Sequence, residues 1–161
     1  PLAYLDGSST GVDDWSCIAN DEFIFSAGGV YEYKTNGNAR NDGYFGGTNG
    51  CISDDEIAGS GNGAAFGSGI HTWAFTPASG SNRAKITLTN GANRAAFIGF
   101  YKGYFGGENM NASDPPNGGN STNTYEVVGY ANTGTKEYLF VTVDVSAVHD
   151  GSSSWSAVLE R

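Results

Sequence analysis

The alternation of short β-type runs with glycine- and asparagine-rich turns constrains the fold of this chain more than any other feature. Glycine accounts for 25 of the 161 residues, and no stretch shows a sustained helical period. Runs rich in β-branched and aromatic residues recur instead, at 22–26, 30–34, 70–76, 83–89, 95–101, 124–130, 137–145 and 154–160. These runs predict an all-β protein whose antiparallel strands are joined mostly by tight turns.

About eight strands predict a single domain, residues 1–161, folded as an antiparallel β-sandwich or a flattened barrel. The longest run, 137–145, is expected at the centre of a sheet. Two long loops interrupt the pattern, one from Asn36 to about Gly69 and one through Asn109 to Asn123. Loops of this length in a compact domain are usually functional, so we expect the binding site there.

The clearest local signal is a β-hairpin. Runs 22–26 and 30–34 are separated by Ala27-Gly28-Gly29, and glycines are typical of hairpin turns. In the second run, Tyr31 and Tyr33 alternate with Val, Glu and Lys, which predicts that both tyrosines lie on one face of the strand.

Charge and composition exclude several classes of protein. The chain carries 17 acidic and 8 basic residues, a net charge of −9, which disfavours nucleic acid or an anionic membrane surface as a partner. Aromatic residues make up 13% and charged residues only 16%, which is not the composition of a disordered chain. No apolar run approaches 18 residues, so membrane insertion is not expected.

The two cysteines, Cys17 and Cys51, lie 34 positions apart. They suit either one disulfide or two buried free thiols, and their spacing does not resemble a zinc site. A disulfide would stabilise the fold by roughly 3–4 kcal/mol and would indicate an oxidising compartment. Because Pro1-Leu2-Ala3 looks like a cut point, we expect a module of a larger secreted or cell-surface protein that is linked to catalytic or anchoring domains.

One motif occurs twice, sixty positions apart: Gly-Tyr-Phe-Gly-Gly-Thr-Asn at 43–49 and Gly-Tyr-Phe-Gly-Gly-Glu-Asn at 103–109. A basic residue lies before each copy, Arg40 before the first and Lys102 before the second. Because glycine loses the most backbone entropy on ordering, aromatic pairs between glycines indicate loops that bend sharply and present flat rings. Two interpretations remain open: the loops form two walls of a sugar-binding face, or each Phe is a core plug capped by its Tyr.

The residue types in and beside these loops suit a carbohydrate ligand. Aromatic rings stack on the C–H faces of sugars, and planar polar groups hydrogen-bond to hydroxyls. A cation suits a sulfate or uronate, so an anionic, marine-type glycan is one candidate, although both cations also fit ordinary solvated charges. The predicted ligand-binding residues are Arg40, Asn41, Asp42, Tyr44, Phe45, Asn49, Tyr101, Lys102, Tyr104, Phe105, Glu108 and Asn109.

The three tryptophans divide into two groups. Trp73 and Trp155 lie within predicted strands and are expected in the core. Trp15 precedes the first strand near Cys17, and it either packs on the disulfide or lies exposed.

Signals for a metal are weak. Asp13-Asp14 and Asp54-Asp55-Glu56 are acidic clusters that fit either a structural Ca²⁺ or solvated turns, and neither matches the spacing of an EF-hand. No metal ligand is therefore predicted, and no cofactor is required for the expected function.

Signals for catalysis are equally weak. Asp42 with Glu108 would give the paired carboxylates of a glycosidase, and His71 with Tyr101 and Arg40 would give a lyase. The chain has neither a Gly-x-Ser-x-Gly nucleophile elbow nor a His-Glu-x-x-His motif, so we expect a protein that is not an enzyme.

Three segments together resemble a known group of proteins. Trp15 is followed by the hairpin of residues 21–33, residues 125–128 precede a long strand, and Trp155 and Leu159 lie in the closing strand. This pattern resembles small β domains of the secreted and surface polysaccharide-utilisation proteins of Bacteroidota. The resemblance covers most of the chain through core-type residues. It implies a carbohydrate-binding module or surface glycan-binding domain, often beside a glycanase, and it assigns no binding residue.

The sequence thus predicts a non-catalytic, monomeric domain that binds a polysaccharide through the two repeated loops. Two other functions remain open: a protein–protein interaction or adhesion domain, and a small polysaccharide lyase or glycosidase.

Overall fold

The structure is a computed structural model that describes residues 14–41, 49–99, 121–144 and 150–161. Within these ranges, seven antiparallel strands form one curled sheet, a half-barrel, and two short strands form a second sheet. The all-β, antiparallel fold predicted from the sequence is therefore confirmed, in the form of a half-barrel.

The strands of the half-barrel are, in spatial order, β1 (Glu22–Ser26), β2 (Val30–Lys34), β5 (Gly69–Thr76), β6 (Lys85–Thr89), β7 (Thr122–Asn132), β8 (Glu137–Asp144) and β9 (Ser154–Glu160). The small sheet consists of β3 (Asn38–Asn41) and β4 (Gly50–Ser53), the helix α1 spans Asp54–Gly59, and 3-10 helices span Ser16–Ala19 and Gly61–Phe66. Neighbouring strands pair in chain order except where β2 pairs with β5, so β3, β4 and α1 lie outside the curled sheet.

The predicted hairpin is confirmed as β1–β2. Gly28 and Gly29 adopt φ angles of +88° and +83°, which glycine reaches without a steric penalty. Tyr31 and Tyr33 are both fully buried, as the alternation predicted. Each ring packs on a phenylalanine of β1, so this pair of strands contributes an aromatic layer to the core.

The prediction that run 137–145 lies at the centre of a sheet is wrong. The corresponding strand, β8, is next to the last in the order, β6 holds the middle position, and β9 forms an edge. The run is long because β7, β8 and β9 form a meander with cross-strand partners along most of β8. Its apolar residues are not all buried either, since Phe140 is 37% exposed on the outer face.

The predicted strand at 95–101 is also wrong for residues 95–99, the part that the structure describes. Residues 95–98 are almost completely buried, yet their backbone joins no sheet. They instead pack in an irregular conformation against the inner face of the half-barrel, where Phe97 contacts the rings of Tyr33 and Phe66. The apolar run therefore fills the core without forming a strand.

Side chains of neighbouring elements hydrogen-bond to the buried backbone of this segment. The Ala96 amide donates to Asn90 Oδ1 (2.9 Å), and the Ala96 carbonyl accepts from Asn123 Nδ2 (2.6 Å). The Ile98 amide donates to the Tyr125 hydroxyl (2.9 Å), and the Tyr31 hydroxyl donates to the Phe97 carbonyl. These contacts replace the hydrogen bonds of a ladder, which a buried backbone needs from some source.

The prediction of a long loop from Asn36 to about Gly69 is wrong for most of its described residues, which form regular elements. Besides β3 and β4 this stretch contains α1, whose first turn is closed by a capping box between Ser53 and Glu56. The Glu56 amide donates to Ser53 Oγ (3.3 Å), and the Ser53 amide donates to Glu56 Oε2 (2.8 Å). Ile57 points from the helix into the core and is 1% exposed. The sequence Ser-Asp-Asp-Glu at 53–56 carries the capping-box signature, which could have predicted this helix.

Candidate functional site

The first repeat lies in the chain between β3 and β4, the two strands of the small sheet. Asn41 at the end of β3 pairs with Gly50 at the start of β4, so the ladder holds the two ends of the loop together. Residues 42–48 between them lie outside the described residues. The described residues on either side of the first repeat are thus paired in one ladder, which we call the stem.

A disulfide ties this stem to the chain that precedes β1. Cys51 of β4 bonds to Cys17 of the first 3-10 helix, with a Cα–Cα distance of 5.7 Å. Of the two alternatives left open by the sequence, the disulfide is confirmed and the described chain has no free thiol. Such a cross-link stabilises the fold mainly by restricting the unfolded chain.

Arg40 of β3 lies inside the stem, only 1% exposed. Its guanidinium carbon lies 3.7 Å from the centre of the Trp15 ring, within the range of a cation–π interaction. Its Nη1 also donates a hydrogen bond to the Asp14 carbonyl (2.8 Å). Trp15 is only 7% exposed, so the exposed alternative is wrong, and its ring contacts Arg40.

The burial of Arg40 changes its predicted role. A sulfate or uronate on a ligand would have to reach a guanidinium that the protein already encloses, and Asn41 is equally buried. In this structure both residues belong to the interior of the stem. The Arg40 guanidinium contacts the Trp15 ring and donates to the Asp14 carbonyl. The sequence pattern placed Arg40 at the surface of a long loop, whereas the structure places it inside a paired stem.

The other predicted ligand-binding residues divide by location. Asn49 is exposed at the entrance to β4. The remaining residues lie outside the described part of the chain, namely Asp42, Tyr44, Phe45, Tyr101, Lys102, Tyr104, Phe105, Glu108 and Asn109.

The described residues on either side of the second repeat, Gly99 and Ser121, each contact another part of the domain. On one side Gly99 lies against β9, so close that a Cβ added to it would be 3.5 Å from the Ala157 Cβ. On the other side the Ser121 carbonyl accepts from the Asn90 amide (2.9 Å). Asn90 therefore holds both this end and the buried segment at Ala96.

An aromatic cluster that the sequence did not single out lies on the inner face of the half-barrel. Phe25 of β1 meets Trp73 of β5 edge-on, at 5.4 Å between ring centres, and Trp73 Nε1 donates to the Ser26 carbonyl (3.0 Å). Phe75, two residues further along the same face of β5, is 54% exposed. We call these three residues the aromatic rim. The spacing of Trp73 and Phe75 in a predicted strand was the signal available in the sequence.

The rim partly corrects the expectation for the tryptophans. Trp73 and Trp155 both pack against the core as predicted, but each is only partly buried. Trp73 is fixed in orientation by its hydrogen bond and by Phe25, which gives the rim a rigid ring beside the exposed one.

The acidic clusters have structural partners where they are described. Three acidic residues form the first turn of α1, namely Asp54, Asp55 and Glu56. The partial positive charge at the N-terminus of a helix stabilises carboxylates in that turn. Hydrogen bonds from Ser53 lower the pKa of Glu56, and hydrogen bonds from Ser16 lower the pKa of Asp14. Among the described residues, no group of three or more His, Cys, Asp or Glu side chains is arranged to hold a metal ion.

His71 is buried in β5 next to Tyr31, with ring centres 5.7 Å apart. Its Nδ1 accepts a hydrogen bond from the Gly91 amide (3.0 Å), so the neutral ring carries its proton on Nε2, which has no hydrogen-bond partner. Burial, assisted by the nearby charge of Arg94, lowers the pKa of His71 to about 4. A histidine enclosed in this way serves the fold, and the lyase arrangement with Arg40 would need both side chains at the surface.

Comparison of the chain with protein-family models, with curated proteins and with solved structures finds no match in any of the three. None of the helices in the described ranges is long and apolar enough to cross a membrane.

Proposed function

We propose that this protein is a non-catalytic polysaccharide-binding domain that contacts its ligand through aromatic rings. The observation that carries the proposal is the aromatic rim, in which exposed Phe75 lies beside the fixed ring of Trp73 on the concave side of an antiparallel sheet. Flat rings at a concave surface suit the C–H faces of sugar units, and a preformed surface avoids the entropy cost of ordering on binding.

The repeated loops supply a second set of rings in this proposal. The stem of the first loop is held by the β3–β4 ladder, by the disulfide and by the contact between Arg40 and Trp15. A loop mounted on such a stem suits Tyr44 and Phe45 as stacking residues. Asn49, exposed at the foot of the loop, suits a hydrogen bond to a sugar hydroxyl.

The preference for an anionic glycan is weaker than the sequence indicated. Arg40, one of the two cations on which it was based, is buried, which leaves Lys102. The net charge of −9 also repels a polyanion at long range. We therefore favour a neutral polysaccharide as the first ligand to test, and we propose a secreted or cell-surface location in keeping with the disulfide.

Affinity electrophoresis in gels cast with neutral and anionic polysaccharides tests this function. We expect one glycan to retard the wild-type protein, and Phe75→Ala to weaken the affinity up to about tenfold, the value of one aromatic contact. Ile70→Ala is the matched control, because Ile70 is 66% exposed on the same strand but on the opposite face. Tyr44→Ala and Tyr104→Ala test the two loops separately.

The outcomes separate the alternatives. Loss of retardation in the loop variants but not in Phe75→Ala would keep the function and move the site to the loops. No retardation of the wild type by any polysaccharide would contradict the function and favour a protein-interaction domain. Release of reducing sugar or unsaturated product from a retarding glycan would show that the protein is an enzyme.

A further inference from the structure

The last strand of the half-barrel presents a long edge. In the described chain, β9 pairs with β8 on one side and with no strand on the other. It is seven residues long, contains no proline and has an unbroken register from Ser154 to Glu160. An edge of this kind lacks the bulges, prolines and inward charges by which proteins normally prevent strand pairing.

The hydrogen-bond pattern identifies which backbone groups point outward. Glu137 and Arg161 exchange both of their backbone hydrogen bonds. Because such pairs alternate along an antiparallel ladder, the next bonded pairs in β9 are at Leu159, Ala157 and Trp155. The amides and carbonyls of the intervening residues are thus directed away from β8, at Ser154, Ser156, Val158 and Glu160.

An apolar row on the outer face of the sheet ends at this edge. Phe140 of β8 faces Val158 of β9 on one side and Gly129 of β7 on the other. The Phe140 ring lies close over Gly129, which has no side chain to separate them. Val158 is 54% exposed and Val128, beside the bulge in β7, is 48% exposed. The exposed apolar surface of this row therefore extends to β9, next to its outward-directed amides and carbonyls.

We infer that β9 pairs with β9 of a second copy of this chain, antiparallel and centred on Val158. In this register Val158 faces Val158 of the second copy, and Ser156 faces Glu160 on both sides. These three residue pairs use the outward amides and carbonyls, and each exchanges two hydrogen bonds. The apolar row becomes continuous from one Phe140 to the other, and the sheet extends across both copies without an edge between them.

Charge is compatible with this register. The Glu160 carboxylate forms an ion pair with Lys136 of its own chain, and it faces a serine across the proposed contact. No like charges would be opposed along the strand pair. The other edge, β1, is shorter, and its outward Ile24 adjoins charged Glu32, so it offers no continuous apolar row. The inferred dimer differs from the monomer expected from the sequence.

Sedimentation velocity over a wide range of protein concentration tests the inference. We expect the wild-type mass to rise from 16.8 kDa towards twice that value, and the association to strengthen with salt because each copy carries −9. Val158→Lys should abolish dimerisation. Thr89→Lys, which makes the same charge change at an exposed site on the outer face of β6, should not.

A second variant and a second measurement guard against misfolding. Val158→Pro removes an outward amide and no bond to β8, so it should also prevent dimerisation while the half-barrel remains folded. In hydrogen exchange, the amides of Ser156, Val158 and Glu160 should become protected as the concentration rises, whereas the Ala157 amide should be protected throughout.

Three results would overturn the inference. The first is a wild-type protein that remains monomeric up to about 1 mM, where even weak contacts associate. The second is dimerisation that survives both Val158→Lys and Val158→Pro, or species that grow beyond a dimer, as a contact between β9 and β1 would produce. The third is protection of the outward amides in the monomer, which would mean that another part of the same chain covers the edge.

Discussion

Single polar side chains hold the least regular part of this structure in place. Asn90, Tyr125 and Asn123 each hydrogen-bond to the backbone of residues 95–98, which is buried and takes part in no strand ladder. An unpaired buried backbone group costs about 1–3 kcal/mol, so these side chains decide whether the apolar segment can stay in the core. His71 likewise accepts a hydrogen bond from the Gly91 amide, and its imidazole can titrate between pH 4 and pH 7.

His71 gives the protein a predictable dependence on pH. Its pKa is lowered to about 4 in the folded state by burial, against about 6.5 in the unfolded chain. The unfolded state therefore binds the proton first, and stability is complete above pH 6.5 and falls as the pH drops towards 4. Between pH 7.5 and pH 5 we expect a loss of about 2 kcal/mol in the free energy of unfolding.

Urea unfolding at several pH values measures this loss. His71→Asn keeps an acceptor for the Gly91 amide but does not titrate, so its stability should be nearly constant over the same range. Equal pH dependence in the wild type and the variant would show that other groups are responsible. Four described carboxylates also have a lowered pKa, and because the ordinary values of these groups already lie below pH 5, they do not obscure this window: Asp14, Glu56, Glu137 and Glu160.

Among the elements, the small sheet and α1 form a unit built onto the half-barrel. The Asp54 amide donates to the Gly37 carbonyl (3.1 Å), and the Thr35 hydroxyl donates to Asp54 (2.6 Å), so the start of α1 is held at the end of β2. Ile57 and Phe66 extend the core beneath this unit. The disulfide joins β4 of the unit to the chain in front of β1 and closes a covalent loop of residues 17–51.

Loss of the disulfide should weaken this unit. Because Cys17 and Cys51 are 34 residues apart, the double variant Cys17→Ser/Cys51→Ser should lose about 3–4 kcal/mol of unfolding free energy. Urea unfolding with and without reductant provides the measurement. The wild type should lose a similar amount on reduction and the variant should not respond, whereas a reductant effect on both would implicate some other change.

At the scale of the molecule, part of the concave side of the half-barrel is covered by chain that is not part of the sheet, whereas Phe75 on the same side is 54% exposed. The segment after β6 turns back across β5, where Gly91 passes so close that a Cβ would lie 1.9 Å from the Ile70 carbonyl oxygen. Position 91 therefore leaves no room for a side chain between this segment and β5.

Gly91→Ala should therefore be strongly destabilising. The added methyl group must push the segment away from β5 and break the hydrogen bond to His71, at a cost of about 3 kcal/mol. Gly59→Ala is the matched control, because its Cβ meets nothing within 4 Å and helix α1 favours alanine. Thermal unfolding should show a large fall in Tm for the first and an unchanged or higher Tm for the second. Similar values for both would contradict the close contact.

Several features of this molecule were predictable from the sequence because they are local. The β1–β2 hairpin follows from two glycines between alternating runs, and strand β9 follows from its own run of residues 154–160. The capping box at Ser53 and Glu56 is equally local, although the acidic cluster at 54–56 by itself fits a calcium site or a solvated turn just as well. In these cases the residues that form the structure are neighbours in the chain.

The sequence by itself determined the β class, the positions of most strands and the pairing available to the two cysteines. Only the tertiary structure decided that Arg40 is buried beneath Trp15, that residues 95–98 fill the core without joining the sheet, and that β6 rather than β8 is central. These outcomes depend on contacts between residues that are far apart in the chain. Arg40 is buried against the ring of Trp15, which is 25 positions away in the chain. Residues 95–98 can be buried outside the sheet because side chains distant in the chain hydrogen-bond to their backbone.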